Sequence, residues 1–234
     1  MNPLLRKAFA ELLGSMFLAA AVVGSGVAAQ RLSPDDAGLQ LLENALITGA
    51  VLVALILALG PVSAAFNPVV TLVERALGAL STFAAATFVV AQVVGCCLGV
   101  VLANLMFDLP AVDLSTRERA SAGLWLGEVV ATFGLVVVIF GVVRSGRTAH
   151  VAYAVGGYIT AAYWFTSSTS FANPAITVGR TLSDTFAGIA PASVAVFVLM
   201  QVLGGALALG AVLVLYPRPA ALAEELVQLS GERP

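Results

Sequence analysis

Charge is what this chain has least of. Only 10% of its 234 residues are charged, where a soluble domain carries about 25%. There is one histidine, His150, one lysine, Lys7, and one pair of cysteines, Cys96 and Cys97. Each scarcity excludes something. So little charge, with 60% hydrophobic residues and a mean hydropathy of +1.01, excludes a soluble globule and predicts an integral membrane protein. One histidine and two adjacent cysteines supply neither a metal-ligand cluster nor a nucleophile–base set, so the reading is no enzyme, no catalytic residue, no metal and no cofactor. A net charge of −2 names no nucleic-acid partner. Helical neighbours point about 100° apart and rarely bridge, so Cys96 and Cys97 read as small packing residues, with a thiol site for a soft solute as the alternative.

What the chain has is long apolar runs. They are unalternated and rich in Ala, Val, Leu and Gly, which predicts spanning helices of about 20 residues and not the alternating strands of a barrel. Six spans are expected, at about 8–29, 41–59, 81–107, 122–143, 151–165 and 191–215. The first, behind Arg6 and Lys7, has the look of a signal peptide, but its counterpart in the second half argues for keeping it.

Two further segments are too short to cross. Ala65-Phe66-Asn67-Pro68-Val69 and Phe171-Ala172-Asn173-Pro174-Ala175 each read as a helix start, with Asn as N-cap and Pro at the first helical position. The segment from Asn67 to about Gly78 reaches about 16 Å, half the hydrocarbon core, so it can only enter and turn back. The segment from Asn173 to about Leu182 does the same.

Three spans and one half-helix thus occur twice, as repeats at about 5–107 and 122–216. Glu11 and Glu128, Asn67 and Asn173, and Gln92 and Gln201 recur at offsets of 117, 106 and 109. An odd number of spans per repeat inserts the second repeat upside down. The expectation is an all-α membrane protein, residues 1–234 forming one channel domain. With the N-terminus inside, seven Lys and Arg fall on the inner face and four on the outer. That bias predicts a multi-pass inner-membrane protein with cytoplasmic termini and a cytoplasmic tail, 217–234.

Inverted half-helices bring two helix N-termini, each carrying about half a positive charge, together near the midplane. Irregular backbone at that depth is tolerable where it lines a watery cavity. The expected product is a pore with Asn67 and Asn173 at its centre, one that repels cations and orients neutral hydrogen-bonding solutes.

Six spans, two half-helices and the motifs Asn67-Pro68-Val69 and Asn173-Pro174-Ala175 resemble the aquaporin or major intrinsic protein family over about residues 5 to 216. The resemblance implies a homotetramer in lipid, one passive pore per subunit and no cofactor. It also implies that Glu11 and Glu128 hold the half-helix loops. Three positions depart from the family pattern. Ile176 stands where Arg usually follows the second motif, Val69 stands where Ala is usual, and Ala65 stands where His is frequent. Counted from the motifs, the filter positions resemble Ile47, Ala161, Ser170 and Ile176, a ring without charge or large aromatic. Such a ring suits uncharged solutes larger than water: glycerol, urea, arsenous acid or methylated arsenicals. An aliphatic residue at 176 resembles an aquaglyceroporin branch associated with bacterial arsenic-resistance operons. A water-selective aquaporin is the alternative, and a gradient-coupled transporter with inverted repeats a further one. Arg180, one turn past Ile176, is expected to meet water or a carbonyl at the outer surface, the alternative being a reach back to the pore mouth. Tyr163-Trp164-Phe165 reads as an interfacial anchor, and His150 as a solvated loop residue.

Overall fold

The computed structural model describes residues 2–216; the expected tail at 217–234 lies outside them. Among the described residues the chain is all helix: α1 Pro3–Leu32, α2 Ala37–Leu59, α3 Pro68–Ala76, α4 Thr82–Met106, α5 Ala122–Arg144, α6 Val151–Phe165, α7 Pro174–Gly179 and α8 Pro191–Leu215.

The starts follow local chemistry. Asn2 accepts from the Leu4 N–H at 2.9 Å ahead of Pro3, and Asp36 from Leu39 at 2.8 Å. Ser81 and Ser121 accept from the N–H groups of Ala84 and Leu124 at 3.1 and 3.3 Å. Each oxygen satisfies a donor that the first helical turn leaves unpaired.

Five helices (α1, α2, α4, α5 and α8) are long and apolar enough to cross a membrane. Helix α1, 30 residues and about 45 Å, exceeds the hydrocarbon core, and its ends carry the polar Arg6, Lys7, Gln30 and Arg31. Helix α6 has 15 residues, about 22 Å, and a 3-10 turn at Thr148–His150 lengthens it by about 6 Å. Helices α3 and α7, with 9 and 6 residues, do not cross.

Two close helix pairs organise the packing. Helix α1 lies on α4, where a Cβ on Gly95 would strike the Leu12 carbonyl. Helix α5 lies on α8, where a Cβ on Gly204 would come within 2.5 Å of the Val129 carbonyl. Apolar burial between membrane helices gains little over lipid, so close backbone approach at small residues carries the association. Cys96 is fully buried, 3.7 Å from the Ser15 carbonyl and against Gly179. Helices α3 and α7 enter the bundle between these pairs and meet end to end at Asn67 and Asn173.

Candidate pore

Both half-helices begin with the same strained turn. Phe66 and Ala172, the residues before each Asn, have φ of +48°. Left-handed backbone at a residue with a Cβ costs about 1 kcal/mol or more and persists only where the surroundings hold it.

Two buried carboxylates surround these turns. Glu11, fully buried, accepts from Ser63 Oγ at 2.5 Å, from the Ala65 and Phe66 N–H groups at 2.9 and 2.8 Å, and from Gln92 Nε2 at 2.7 Å. Glu128, equally buried, accepts from the Phe171 and Ala172 N–H groups at 3.0 and 2.9 Å and from Gln201 Nε2 at 2.5 Å. Each glutamine also donates to a half-helix hydroxyl, Gln92 to Thr71 at 2.9 Å and Gln201 to Thr177 at 2.8 Å. The sequence pattern marked both glutamines as repeat positions but gave no hint of these bonds.

The strained turns aim their carbonyls at each other's helix. Asn67 Nδ2 donates to the Ala172 carbonyl at 2.8 Å, and Asn173 Nδ2 to the Phe66 carbonyl at 2.7 Å. Each Asn caps its own helix as well: Asn67 Oδ1 accepts from Val69 N–H at 2.9 Å, and Asn173 Oδ1 from Ala175 N–H at 3.0 Å. Pro68, Val69, Pro174 and Ala175 are buried at the two helix starts.

A cavity of about 470 Å³ runs past both asparagines. One end holds Lys7, Glu74 and Thr148; the other holds Thr48, Tyr163, Ser170, Phe171, Ile176 and Arg180. Between them the wall is aliphatic. Leu52 and Ile56 continue from Thr48 along α2, and Val151, Val155 and Ile159 lead to Tyr163 along α6. Both rows step by four residues, the spacing of one helix face.

Of the four expected filter residues, Ser170 and Ile176 line this cavity and Ile47 and Ala161 do not. Ile47 is 49% exposed, one position round α2 from Thr48. Ala161 is exposed, two positions and about 200° from both Ile159 and Tyr163. Counting back from Asn173 crosses a loop with left-handed residues at Thr169, Ser170 and Ala172, so the helical register does not carry through it. The period-four rows are the signal that identifies Thr48 and Tyr163.

The cavity wall at this end therefore holds an aromatic and a charge. Tyr163 is 3% exposed, with its hydroxyl 3.2 Å from Thr48 Oγ1; only Trp164 and Phe165 face outward as an anchor would. Arg180 does meet a carbonyl, but away from the surface. It is 2% exposed and lines the cavity. Its Nε donates to the Ala187 carbonyl and its guanidinium carbon lies 3.4 Å from the centre of the Phe171 ring. Ser170 lines the cavity, but its Oγ is buried away from that space and has no hydrogen-bond partner. His150 is exposed, as read.

The loop between the halves folds onto the Arg180 end. Asp113 and Ser115 N–H groups donate to the Leu182 and Thr181 carbonyls at 3.0 and 2.9 Å, and Ala190 N–H to the Arg117 carbonyl at 2.8 Å. Arg119 is carried inward by this loop to 7% exposure. Burial first, then the guanidiniums of Arg180 and Arg117, pull it below the usual arginine range, while Glu128 and Tyr163 oppose that pull.

Two re-entrant half-helices, capped by asparagines that meet beside a long cavity in a bundle of spanning helices, define a membrane channel of the half-helix type. The chain belongs to the major intrinsic protein family, whose model matches residues 1–152. It is 50% identical over 207 residues to the aquaglyceroporin AqpS of Rhizobium meliloti (strain 1021), covering 88% of each chain. It is 30% identical over 156 residues to aquaporin NIP1-2 of Arabidopsis thaliana, covering 62% of this chain and 52% of the relative. Its fold matches the X-ray structure of the aquaglyceroporin from Plasmodium falciparum with a TM-score of 0.71 at 18% identity, over 93% of this chain and 99% of that one. This chain is an integral multi-pass membrane channel for small solutes, and not an enzyme.

Proposed function

We propose that this channel passes small uncharged solutes larger than water, glycerol, urea and arsenous acid or methylated arsenicals among them, with water alongside. The observation that carries the reading is Ile176 in the cavity wall, where the family resemblance leads one to expect Arg. An aliphatic side chain there leaves width for a carbon or arsenic centre. The filter is Thr48, Tyr163, Ser170, Ile176 and Arg180, with Arg180 four residues on from Ile176 and its guanidinium on the Phe171 ring. The relative AqpS, named as an aquaglyceroporin, adds weight.

In this reading Glu11 and Glu128 support the two half-helix loops. Asn67 and Asn173 present the central donors, and the helix-terminal dipoles with Arg180 repel cations. The repeats are inverted, the Lys7 end and both termini are cytoplasmic, the membrane is the inner one, and subunits assemble as a homotetramer.

Stopped-flow light scattering on proteoliposomes tests this with water, glycerol and arsenous acid. Wild type is expected to pass all three, and Ile176→Arg to keep water while losing most of the larger solutes. Wild type passing water alone would make Arg180 and Tyr163 the size gate and leave the water-selective alternative standing.

A further inference from the structure

Arg119 and Arg180 are 61 residues apart and share one setting. The Nε of Arg180 donates to the Ala187 carbonyl; the Nε of Arg119 donates to the next carbonyl, Gly188, at 3.0 Å. Both guanidiniums lie over the Phe171 ring, their central carbons 3.4 Å (Arg180) and 4.7 Å (Arg119) from its centre. The ring is itself fixed. The Phe171 N–H is held by Glu128, and the ring packs edge-on to Phe197 at 5.4 Å between centres. Arg119 has two more ties: its own N–H to Ser193 Oγ at 2.9 Å, and Nη1 to the Ser168 carbonyl at 3.5 Å. Only Arg180 lines the cavity.

We infer that Arg119 is a positioning residue for the filter: it fixes the guanidinium of Arg180 in the pore wall through Phe171 and the 187–188 backbone, and so sets discrimination between neutral solutes and cations. This rests on the reading of Arg180 as the pore's cation. The physical case has three parts. A long arginine side chain gives up much rotamer entropy when fixed, so one hydrogen bond does not hold a guanidinium at one place in a lumen. A stacked aromatic face adds direction as well as attraction. A second guanidinium drawn to the same ring and to the adjacent carbonyl limits where Arg180 can go, because like charges drawn together in a poorly solvated site repel strongly.

The two substitutions should therefore be coupled. Arg119→Met, Arg119→Lys, Arg180→Met and the double Met variant are purified and reconstituted. Glycerol flux is read by light scattering, and proton leak by collapse of an imposed pH gradient on a trapped dye. Thermal unfolding in detergent checks the fold. Arg180→Met is expected to raise the leak-to-glycerol ratio several-fold. Arg119→Met should raise it by a similar factor, although that side chain does not line the pore. Arg119→Lys should restore part of the discrimination. The double variant should match Arg180→Met alone, because nothing remains to be positioned. A purely structural Arg119 would lower total flux and unfolding temperature while leaving the ratio at the wild-type value, and that outcome overturns the inference, as does a double variant whose two effects multiply. If Arg180→Met leaves the ratio unchanged, the filter reading itself fails and Arg119 falls with it. If Arg119→Met does not fold, Arg119→Lys and Arg119→Gln carry the same comparison.

Discussion

At the scale of single residues, the two glutamates are fully buried carboxylates within spanning helices. A buried carboxylate is tolerable only with a full set of donors. Each of them takes two from backbone N–H groups around a strained turn and one from a glutamine. Replacing Glu128 by Leu orphans the N–H groups of Phe171 and Ala172, at about 1–3 kcal/mol each. Glu128→Gln keeps one acceptor oxygen and turns an NH₂ group towards the other donor. Thermal unfolding in detergent should rank wild type above Gln and Gln above Leu, with glycerol flux falling in the same order. A Leu variant as stable as wild type would remove the glutamate from its place beneath the loop. Several residue-level facts were within reach of the sequence. The Asn-Pro pairs announce caps, and a carboxylate within a span demands partners. The cavity lining at the Arg180 end was only half legible. Ser170 and Ile176 sit beside a motif and could be counted. Thr48 and Tyr163 sit across loops whose geometry no spacing rule fixes, and only the period-four rows lead to them.

At the scale of elements, helix bounds read well because apolar runs and cap residues agree. Helices α6 and α8 begin and end where the runs do. Helix α1 starts five residues earlier than its apolar run, at the Asn2-Pro3 cap, because a good cap overrides the polar Arg6 and Lys7 that seemed to bound it. The pairing of elements rests on close backbone approach. Gly95→Leu should drive α1 and α4 apart, because the new side chain meets the Leu12 backbone and not a flexible side chain that can yield. Overpacking of this kind costs about 1–3 kcal/mol. A Cβ on Gly210 of α8 meets nothing within 4 Å, and Gly210→Leu should leave stability within about 0.5 kcal/mol of wild type. Unfolding midpoints of the two variants in one detergent decide the point; equal losses would mean the Gly95 contact does not hold the bundle. The loop that carries Arg119 shows the other limit. Its fold depends on carbonyls some 70 residues further on, and no local pattern encodes such a partner.

At the scale of the whole molecule, inverted repeats and broken helices are common to channels and to transporters that rock between two states. What separates them here is how the halves are joined. Asn67 and Asn173 each donate to the turn of the opposite half-helix, at 2.8 and 2.7 Å, while each turn is bonded to a glutamate of its own half. Rocking one half against the other breaks both cross-bonds in the middle of the membrane, and leaves four polar groups to exchange matched partners for cavity water. At about 0.5–1.5 kcal/mol net for each bond lost, that state lies above the joined one. A carrier cycling through it would be sparsely populated in one of its two conformations. A conduit needs no such excursion. Glycerol flux into proteoliposomes should therefore rise linearly with the gradient, without a plateau, and should not respond to an imposed proton or sodium gradient. Internal glycerol should never exceed the external concentration. Saturation together with accumulation against a gradient would show that the two half-helices part during transport, and the reciprocal asparagine bonds would then be a gate and not a fixed joint.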